Sequence, residues 1–232
     1  MKNQKILITG SEGLIGTLLQ ENLRSESHTI YRCDKKFSYP FDLLTDNFSD
    51  YFKDFEVDTV IHLAGYAGPK ISREEMNENT EITARVAYTA RKNNVKRIIF
   101  SSSIHVYDFS NMYERKEKIN PETPVKVHSN PDYYKDDAER KVSNYSKSKI
   151  TSEVILRCYH HDMHILNLRL GAVNRDNQPA KNPWGNATFL KHQDLCRIVT
   201  KGLSFEGCDN LVCVSENNED FIDRTKLEEF LQ

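Results

Sequence analysis

The chain has 232 residues, with 32 Lys and Arg against 34 Asp and Glu, and a formal net charge of −2 at pH 7. This balance gives no electrostatic argument for a nucleic-acid partner or an anionic membrane surface. No apolar run approaches the roughly 20 residues that span a bilayer, and polar residues lead directly into the first strand, so we expect neither a membrane segment nor a signal peptide. The five cysteines form no close CxxC pair, which favours reduced thiols in a cytoplasmic protein.

The first predicted elements are a short strand, a glycine-rich turn and a helix. Ile6 to Thr9 is apolar and is followed by a glycine, as is typical of a buried strand. Glycines follow at a three-residue spacing, and apolar residues then recur at helical spacing: Gly10, Gly13 and Gly16, then Leu14, Ile15, Leu18, Leu19 and Leu23. Such a turn directs free backbone N–H groups and the positive helix end to one point, which predicts a site for a pyrophosphate.

A second strand is predicted from His28 to Cys33, and it is followed by Asp34. This acid lies about 20 residues beyond the glycine turn, where a dinucleotide-binding fold places a carboxylate on the adenosine ribose. A carboxylate there accepts hydrogen bonds from the ribose hydroxyls and repels a 2′-phosphate, so it favours NAD over NADP. Lys35 and Lys36 leave NADP open, because a cation beside the acid can compensate a phosphate.

The rest of the chain alternates strands and helices and contains no paired-hairpin signature. We predict strands over 57–64, 96–100, 165–170 and 211–214, and helices over 47–55, 74–93, 150–159, 192–202 and 223–231. The core face of the helix over 74–93 is expected to hold Ile82, Val86 and Ala90. This alternation predicts an α/β fold, a doubly wound parallel sheet with helices on both faces.

A tyrosine and a lysine four residues apart indicate acid–base chemistry. On a helix, Tyr145 and Lys149 share one face. A free tyrosine titrates at about pH 10, and a neighbouring lysine ammonium favours the phenolate and lowers the pKa of the tyrosine. A run of three serines ends an earlier strand, so the Ser103 hydroxyl can hold the oxygen of a carbinol that loses a hydride.

These motifs follow one another as in short-chain dehydrogenases. The chain resembles most closely their extended branch, the NAD-dependent epimerase/dehydratase family. The resemblance covers roughly residues 4–173 and rests on the glycine turn, Asp34, Asp42-Leu43, His62-Leu-Ala-Gly65, Asn79, the serines at 101–103 and Tyr145-Ser-Lys-Ser-Lys149. It implies the Rossmann form of the doubly wound sheet, and NAD as the cofactor.

The resemblance also implies a role for each matching residue. It places Gly10, Gly13 and Gly16 against the pyrophosphate, Asp34 on the adenosine ribose, Asp42 and Leu43 beside the adenine, Leu14, Ile15, Leu63, Ala64, Gly65, Ser101 and Val173 along the cofactor, and Asn79 as a support for the central helix. It implies that Ser103 holds the reacting oxygen, that Tyr145 moves the proton, and that Lys149 holds the nicotinamide ribose. The residues implied near the substrate are Tyr66, Ser103, Ile104, His105 and Trp184. The Glu12 side chain, inside the glycine turn, is expected to point to water.

Two segments depart from this pattern. Residues 108–141 are polar with interspersed tyrosines, and we predict a lid-like insertion over the site rather than a core element. Residues 1–173 are thus predicted as the NAD-binding domain, and 174–232 as a small C-terminal substrate lobe that opens with a polar loop over 174–187. The short tail resembles that of uronate dehydrogenases, which oxidise a free sugar acid. Ala67 and Ala172 stand here where those enzymes have serines, and Trp184, with Lys181 nearby, stands where they have an arginine for the carboxylate.

We expect an enzyme that transfers a hydride between NAD and a carbinol of a sugar-like substrate. Dehydrogenases and epimerases use the same residues, so both stay open, as does uronate oxidation. The alternative from another class is a non-catalytic NAD-sensing protein, although such proteins typically lose the tyrosine or lysine that this chain keeps. His160, His161 and His164 have no carboxylate or cysteine partner at ligand spacing, so no metal is expected. The family commonly pairs two long helices per subunit, here about 74–92 and 143–160, so a homodimer is expected.

Overall fold

The computed structural model describes residues 3–36, 38, 40–52, 55–68, 71–107, 118–125, 137–217, 219 and 221–232. Within them, six strands form one parallel sheet: β1 Lys5–Thr9, β2 Thr29–Cys33, β3 Thr59–His62, β4 Arg97–Ser103, β5 His164–Leu170 and β6 Cys208–Cys213. Their order across the sheet is β2-β1-β3-β4-β5-β6. The strand order reverses between β1 and β3, so the predicted doubly wound parallel sheet of the Rossmann type is confirmed.

Helices cover both faces of this sheet. They are α1 Leu14–Ser25, α2 Phe48–Tyr51, α3 Arg73–Lys92, α4 Asp137–Arg157, α5 Pro183–Ala187, α6 His192–Gly202 and α7 Thr225–Leu231. On one face α1 contacts α6, and on the other α3 runs along α4. Ile6 and Ile8 of β1 enter the core under α1 and α6, and Leu7 between them enters the core under α3 and α4. Burial on both faces explains the continuous apolar strands, and each such side chain stabilises the fold by about 1.5–3 kcal/mol.

The long helix α3 has a start signal in its own sequence. The Ser72 hydroxyl accepts a hydrogen bond from the Glu75 N–H at 3.1 Å, and the Glu75 carboxylate accepts one from the Ser72 N–H at 2.7 Å. This reciprocal capping box satisfies two N–H groups that the helix leaves free. The face that follows buries Ile82, Val86 and Ala90, as the helical spacing predicts.

Several predicted boundaries change in the structure. The helix predicted over 47–55 is only the single turn α2, and the strand predicted over 57–64 ends at His62. The loop predicted over 174–187 contains the short helix α5, so that prediction is wrong. The reason is local: Pro183 fits the first helical position, and the Asn182 side chain accepts a hydrogen bond from the Gly185 N–H at 2.7 Å.

The predicted insertion over 108–141 is described only in part, because 108–117 and 126–136 lie outside the described residues. Helix α4 already begins at Asp137, which shortens the insertion at its end. Ile119 is 1% exposed, belongs to an apolar cluster with Tyr107 and Ile222, and forms a single parallel bridge with Ile222. The prediction that the insertion contributes no core element is therefore wrong for this part.

Residues after 173 contribute a strand to the sheet and a segment that lies at the carboxyl ends of its strands. Strand β6 pairs with β5 along its length, and α6 lies in the helical layer with α1. Residues 171–190, which we call the rim segment, are attached to the ends of these strands by backbone hydrogen bonds. Ala172 N–H donates to the Thr188 carbonyl at 2.7 Å, Leu190 N–H donates to the Ala172 carbonyl at 3.0 Å, and Ser215 N–H donates to the Phe189 carbonyl at 2.8 Å. The role of 174–232 as a substrate lobe stays a prediction.

Candidate active site

A cavity of about 910 Å³ opens at the carboxyl ends of the strands, where the strand order reverses. Clefts at this position are the usual ligand sites of open α/β sheets, and the volume suits a bound cofactor with a small substrate. Every residue that the sequence predicted for the site lines this cavity except Asn79, which lies behind its wall. We call the part around Gly10–Gly16, Asp34 and Gly65 the cofactor end, and the part around Ile104–His105, Ala172–Val173 and Trp184 the substrate end.

The glycine turn at the cofactor end is packed too closely for side chains. Gly10 has φ +72°, and a Cβ there would lie 2.7 Å from the Ala64 nitrogen. A Cβ on Gly16 would lie 2.6 Å from the Gly10 carbonyl oxygen. Gly13 caps α1 without a side-chain hydrogen bond, and the first turn of α1 contains no acidic residue. The free N–H groups and the positive end of α1 therefore face the cavity and fit an anion such as a pyrophosphate.

Asp34 lies beside this turn, at the end of β2. Its carboxylate accepts hydrogen bonds from the backbone N–H of Glu12 at 2.9 Å and of Lys36 at 2.8 Å. These contacts hold the carboxylate at the cavity wall while leaving lone pairs for a ligand hydroxyl. The sequence predicts that the Glu12 side chain points to water, but the structure gives it protein partners. Its carboxylate accepts a hydrogen bond from the Ser11 hydroxyl at 3.2 Å and lies 3.8 Å from Arg32.

The wall between the two ends is held by Asn79 of α3. Its side-chain oxygen accepts from the Tyr66 N–H at 2.6 Å, and its amide donates to the Tyr66 carbonyl at 3.0 Å and to the Ser148 hydroxyl at 3.4 Å. Gly65 has φ +148°, and a Cβ there would lie 2.8 Å from the Asn79 side-chain oxygen. Asn79 thus joins the loop after β3 to both α3 and α4, which is a wider role than the predicted support for one helix.

Beneath this wall runs a chain of buried polar groups. His62 Nδ1 lies 2.8 Å from the Thr9 hydroxyl and Nε2 lies 3.2 Å from the Thr83 hydroxyl, which in turn lies 3.0 Å from the Ser152 hydroxyl. Burial, with a smaller contribution from the Lys149 charge, lowers the pKa of His62 to about 3. The imidazole is therefore neutral at physiological pH and connects β1 and β3 to α3 and α4.

Three successive serines of β4 meet three successive turns of α4. The Lys149 ammonium donates to the Ser101 carbonyl at 2.7 Å. The Ser102 hydroxyl donates to the Glu153 carboxylate at 2.5 Å. The Ser103 side chain lies beside Tyr145, whose pKa it acts to lower, and it accepts from the His105 N–H at 3.2 Å. The structure thus brings the three predicted catalytic side chains into one cavity, on two adjacent elements.

Burial dominates the electrostatics of this group. It lowers the pKa of Lys149 to about 8, against an opposing contribution from the Glu153 carboxylate. It raises the pKa of Tyr145, and the Ser103 side chain acts in the opposite direction. The sequence predicts a lowered pKa for Tyr145 because of Lys149, but Lys149 is not among the causes in the structure. The Lys149 ammonium lies 5.6 Å from the centre of the Tyr145 ring.

The substrate end is largely apolar and aromatic. Ile104 and His105 follow β4, and the His105 ring stands edge-on to Tyr145 with ring centres 6.0 Å apart. Trp184, on α5, lines the opposite side, while Lys181 is exposed and does not line the cavity. Among the described residues that line the cavity, the only cations are Lys35, Lys36 and Lys149.

Some contacts of the site were not predicted from the sequence. Lys35 lies 3.4 Å from the Tyr66 hydroxyl and 4.9 Å from the centre of its ring, and both residues line the cavity. Glu153 and Arg169 form a buried ion pair behind Lys149. A charged residue in an otherwise apolar strand, as Arg169 is, was the available signal for this pair.

Two negative observations apply to the part of the chain that the structure describes. It contains no group of three or more His, Cys, Asp or Glu side chains that could hold a metal ion. None of its helices combines the length and the apolar character needed to cross a bilayer.

Comparison with known proteins gives a consistent result. The model of a family described as the NAD dependent epimerase/dehydratase family matches residues 6–177. Uronate dehydrogenase of Pseudomonas putida is 25% identical over 219 residues, which cover 90% of this chain and 74% of that protein. An NAD-dependent glucose-6-phosphate dehydrogenase of Haloferax volcanii is 28% identical over 143 residues, 60% of this chain and 52% of that protein. The crystal structure of uronate dehydrogenase from Agrobacterium tumefaciens shares the fold, with a TM-score of 0.80 at 20% identity over 99% of this chain and 84% of that one.

Proposed function

Since the chain belongs to the NAD-dependent epimerase/dehydratase family and is an NAD-dependent enzyme of that family, we propose that it transfers a hydride between NAD and a carbinol of a sugar-like substrate. We assign the catalytic roles to Ser103, Tyr145 and Lys149. The observation that carries this proposal is their arrangement: Ser103 lies beside Tyr145, and both line, together with Lys149, the cavity that contains the glycine turn.

The cofactor end fits NAD on its own geometry. The pyrophosphate would lie at the N-terminus of α1, in the space that side chains on Gly10 and Gly16 would block. Asp34 would accept hydrogen bonds from the adenosine ribose, with Asp42 and Leu43 beside the adenine. Lys149 would donate to the nicotinamide ribose. Leu14, Ile15, Leu63, Ala64, Ser101 and Val173 would line the cofactor between these points.

In the oxidative direction, NAD held by the glycine turn, Asp34 and Lys149 would supply the acceptor for the hydride of the carbinol carbon. The Ser103 hydroxyl donates a hydrogen bond to the carbinol oxygen and fixes it beside Tyr145. Tyr145, as phenolate, takes the proton from that oxygen, so that the C–O bond becomes a carbonyl. Lys149, whose ammonium lies 5.6 Å from the Tyr145 ring centre, does not lower the Tyr145 pKa in this structure, so the positive charge that favours the phenolate would come from the oxidised nicotinamide when it is bound. The reverse sequence reduces a ketone, so the same residues serve a dehydrogenase or an epimerase.

We further propose that the substrate end takes a neutral sugar in preference to a sugar acid. Uronate dehydrogenases among the relatives make a free uronate the second candidate. However, beyond Lys149 no cation among the described residues lines this end, whereas a buried carboxylate needs a charged or strongly hydrogen-bonding partner. The cavity is lined here by Trp184, Ala172 and Val173, whose side chains carry no charge.

The test is a panel of free sugars, sugar acids, sugar phosphates and nucleotide sugars, assayed with NAD by the absorbance of NADH. Turnover with neutral sugars, abolished in Tyr145→Phe, is the expected result. Turnover with uronates alone would overturn the proposed preference but not the catalytic assignment. Tight NAD binding with no turnover on any member of the panel would overturn the enzyme assignment and favour the NAD-sensing alternative.

We also propose a homodimer built on α3 and α4, and a cytoplasmic location in keeping with five free thiols. The outer surface of this helix pair carries two large apolar side chains, Tyr88 with 54% exposure and Val154 with 60%. Light scattering at micromolar concentration should give about twice the 27.0 kDa of one chain. Val154→Glu should shift the result towards one chain, whereas Val125→Glu, at an exposed position outside this pair, should not. A mass of one chain for the wild type would exclude the dimer.

A further inference from the structure

A buried ion pair lies directly behind the proposed catalytic lysine. Arg169 of β5 and Glu153 of α4 are 4% and 8% exposed. Two guanidinium nitrogens of Arg169 donate to the two carboxylate oxygens of Glu153, at 3.0 and 2.8 Å. The remaining nitrogen donates to the Tyr107 hydroxyl at 2.6 Å and to the Pro121 carbonyl at 2.9 Å. The guanidinium is therefore fixed from three sides.

Stability alone is a weak reason for such a pair. Removing two charges from water costs several kcal/mol for each ion, and apolar residues of similar volume often serve a protein core equally well or better. The position of the pair suggests another purpose. Glu153 follows Lys149 by four residues, so both lie on the face of α4 that meets β4. There Ser102 donates to Glu153 while the neighbouring Ser101 carbonyl accepts from Lys149.

Among the described residues around the Lys149 ammonium, Glu153 is the negative partner. Tyr145 on α4 carries a raised pKa and is neutral at physiological pH. His62 on β3 is also neutral, with its pKa lowered to about 3 by burial. On β4 the ammonium meets the Phe100 ring, whose centre lies 4.9 Å away. Beyond Glu153 come Arg169, Tyr107, whose pKa burial raises to about 12, and the Glu122 carboxylate, which acts on Tyr107.

We propose that Glu153 is a positioning residue for Lys149, and that Arg169 holds the Glu153 carboxylate in place for this purpose. Glu153 supplies the negative charge that keeps the buried lysine protonated, and Ser101 and Ser102 fix the two side chains side by side on β4. The alternative fate of a buried lysine is neutralisation, because burial lowers its pKa to about 8 and only the Glu153 charge opposes this. This role rests on the proposed function, since it requires Lys149 to contact the bound cofactor.

The test measures NAD affinity from pH 6 to pH 10, by calorimetry or by the fluorescence of Trp184, the one tryptophan of the chain. Affinity in the wild type should weaken about fivefold as Lys149 loses its proton, because a charged donor makes the stronger hydrogen bond. In Glu153→Gln this loss should begin about one pH unit lower, since an opposite charge at close range shifts a pKa by at least that much. Glu228→Gln, which removes an exposed carboxylate on α7, should keep the wild-type profile.

A double variant separates positioning from stability. Glu153→Gln leaves Arg169 buried without its partner and is expected to lower the melting temperature. Glu153→Leu combined with Arg169→Met removes both charges, so it should recover much of that loss and still show the shifted pH profile. Should Glu153→Gln fail to fold, the double variant carries the test. Wild-type pH profiles in the folded variants would overturn the proposal. The pH profile measures NAD binding and needs no substrate. It therefore tests the role of Glu153 even if the proposed reaction is not observed.

Discussion

The cofactor end and the substrate end of the cavity are built by different means. At the cofactor end the backbone itself forms the wall, and glycines occupy points where a Cβ would lie under 3 Å from neighbouring atoms. At the substrate end the wall consists of side chains on short connections, such as His105 after β4 and Trp184 on α5. The comparison teaches that the cofactor end tolerates little change in sequence, whereas the substrate end can change its chemistry through side chains on an unchanged backbone.

The largest expected effect separates chemistry from cofactor binding. Tyr145→Phe keeps the ring but removes the group that moves the proton, so turnover should fall about 100-fold to 10,000-fold. NAD affinity, measured by calorimetry, should change by less than about twofold, because the cofactor end is untouched. Ser103→Ala should reduce turnover less, since the base remains. Near-normal turnover in Tyr145→Phe on a genuine substrate would remove Tyr145 from the mechanism.

The second prediction concerns the buried polar chain that supports the cofactor end. The pKa of His62 is about 3 in the folded protein and about 6.5 in the unfolded chain, so between these values the unfolded chain binds more protons. Stability should therefore fall as the pH falls from about 6.5 towards 3. Relative to His62→Gln, the wild type should lose about 3 kcal/mol of unfolding free energy between pH 7 and pH 4.

Urea denaturation at both pH values measures this difference. His161→Gln, at an exposed position after α4, is the matched control and should behave like the wild type. An identical pH dependence in the wild type and in His62→Gln would show that His62 does not contribute to acid unfolding.

The third prediction divides the glycine turn into structure and binding. A Cβ on Gly16 would meet the carbonyl oxygens of Gly10 and Ser11 at 2.6 Å, so Gly16→Ala should cost about 2 kcal/mol of stability. A Cβ on Gly13 meets only the Gly10 oxygen, at 3.3 Å, and Gly13 is exposed with an extended backbone that alanine adopts. Gly13→Ala should therefore fold normally and bind NAD about tenfold more weakly, because its methyl group occupies the phosphate site. Melting temperatures and calorimetry distinguish the two effects, and unchanged NAD affinity in folded Gly13→Ala would remove the pyrophosphate from this turn.

The smallest expected effect is cofactor choice. Asp34 should make NAD bind at least tenfold more tightly than NADP, because a like-charge contact costs more than about 1.4 kcal/mol. In Asp34→Asn the ratio should approach unity, as Lys35 and Lys36 remain nearby. Titrations of both nucleotides by Trp184 fluorescence give the ratio. Equal affinities in the wild type would place the adenosine ribose away from Asp34.

The sequence predicts the cofactor end of the cavity better than it predicts the substrate end. Strand β1, the glycine turn and α1 are contiguous, so a local pattern contains most of their constraints, although the nearest neighbour of a Cβ on Gly10 is Ala64, after β3. Tyr145 and Lys149 are likewise one turn apart on one helix, and their place in the cavity follows once β4 is assigned. These features were predictable because the residues that determine them are close to one another in the sequence.

Other features depend on contacts that no local pattern contains. Ile119 is buried in a cluster to which a segment about 100 residues later contributes Ile222. The charged Arg169 is unexpected in an apolar strand, and it is explained by its ion pair with Glu153, which lies on another element. The Glu12 carboxylate lies 3.8 Å from the Arg32 guanidinium, on the neighbouring strand β2. In each case the missing information is tertiary, which is also why the substrate cannot be predicted from the sequence.

The rim segment has a consequence for how this cavity can change during evolution. Gly171 and Gly185 are closed to replacement, because a Cβ would lie 2.0 Å from the Thr188 carbonyl oxygen at Gly171 and 2.4 Å from the Ala180 Cβ at Gly185. Next to Gly171, Ala172 donates its backbone N–H to the Thr188 carbonyl, and this hydrogen bond does not depend on the side chains of the two residues. Mutations at Ala172 and Trp184 therefore alter the chemistry offered to a substrate without disturbing the attachment of the rim to the sheet. A lineage with this architecture can acquire new specificities by single substitutions, at little risk to folding and with its cofactor site intact.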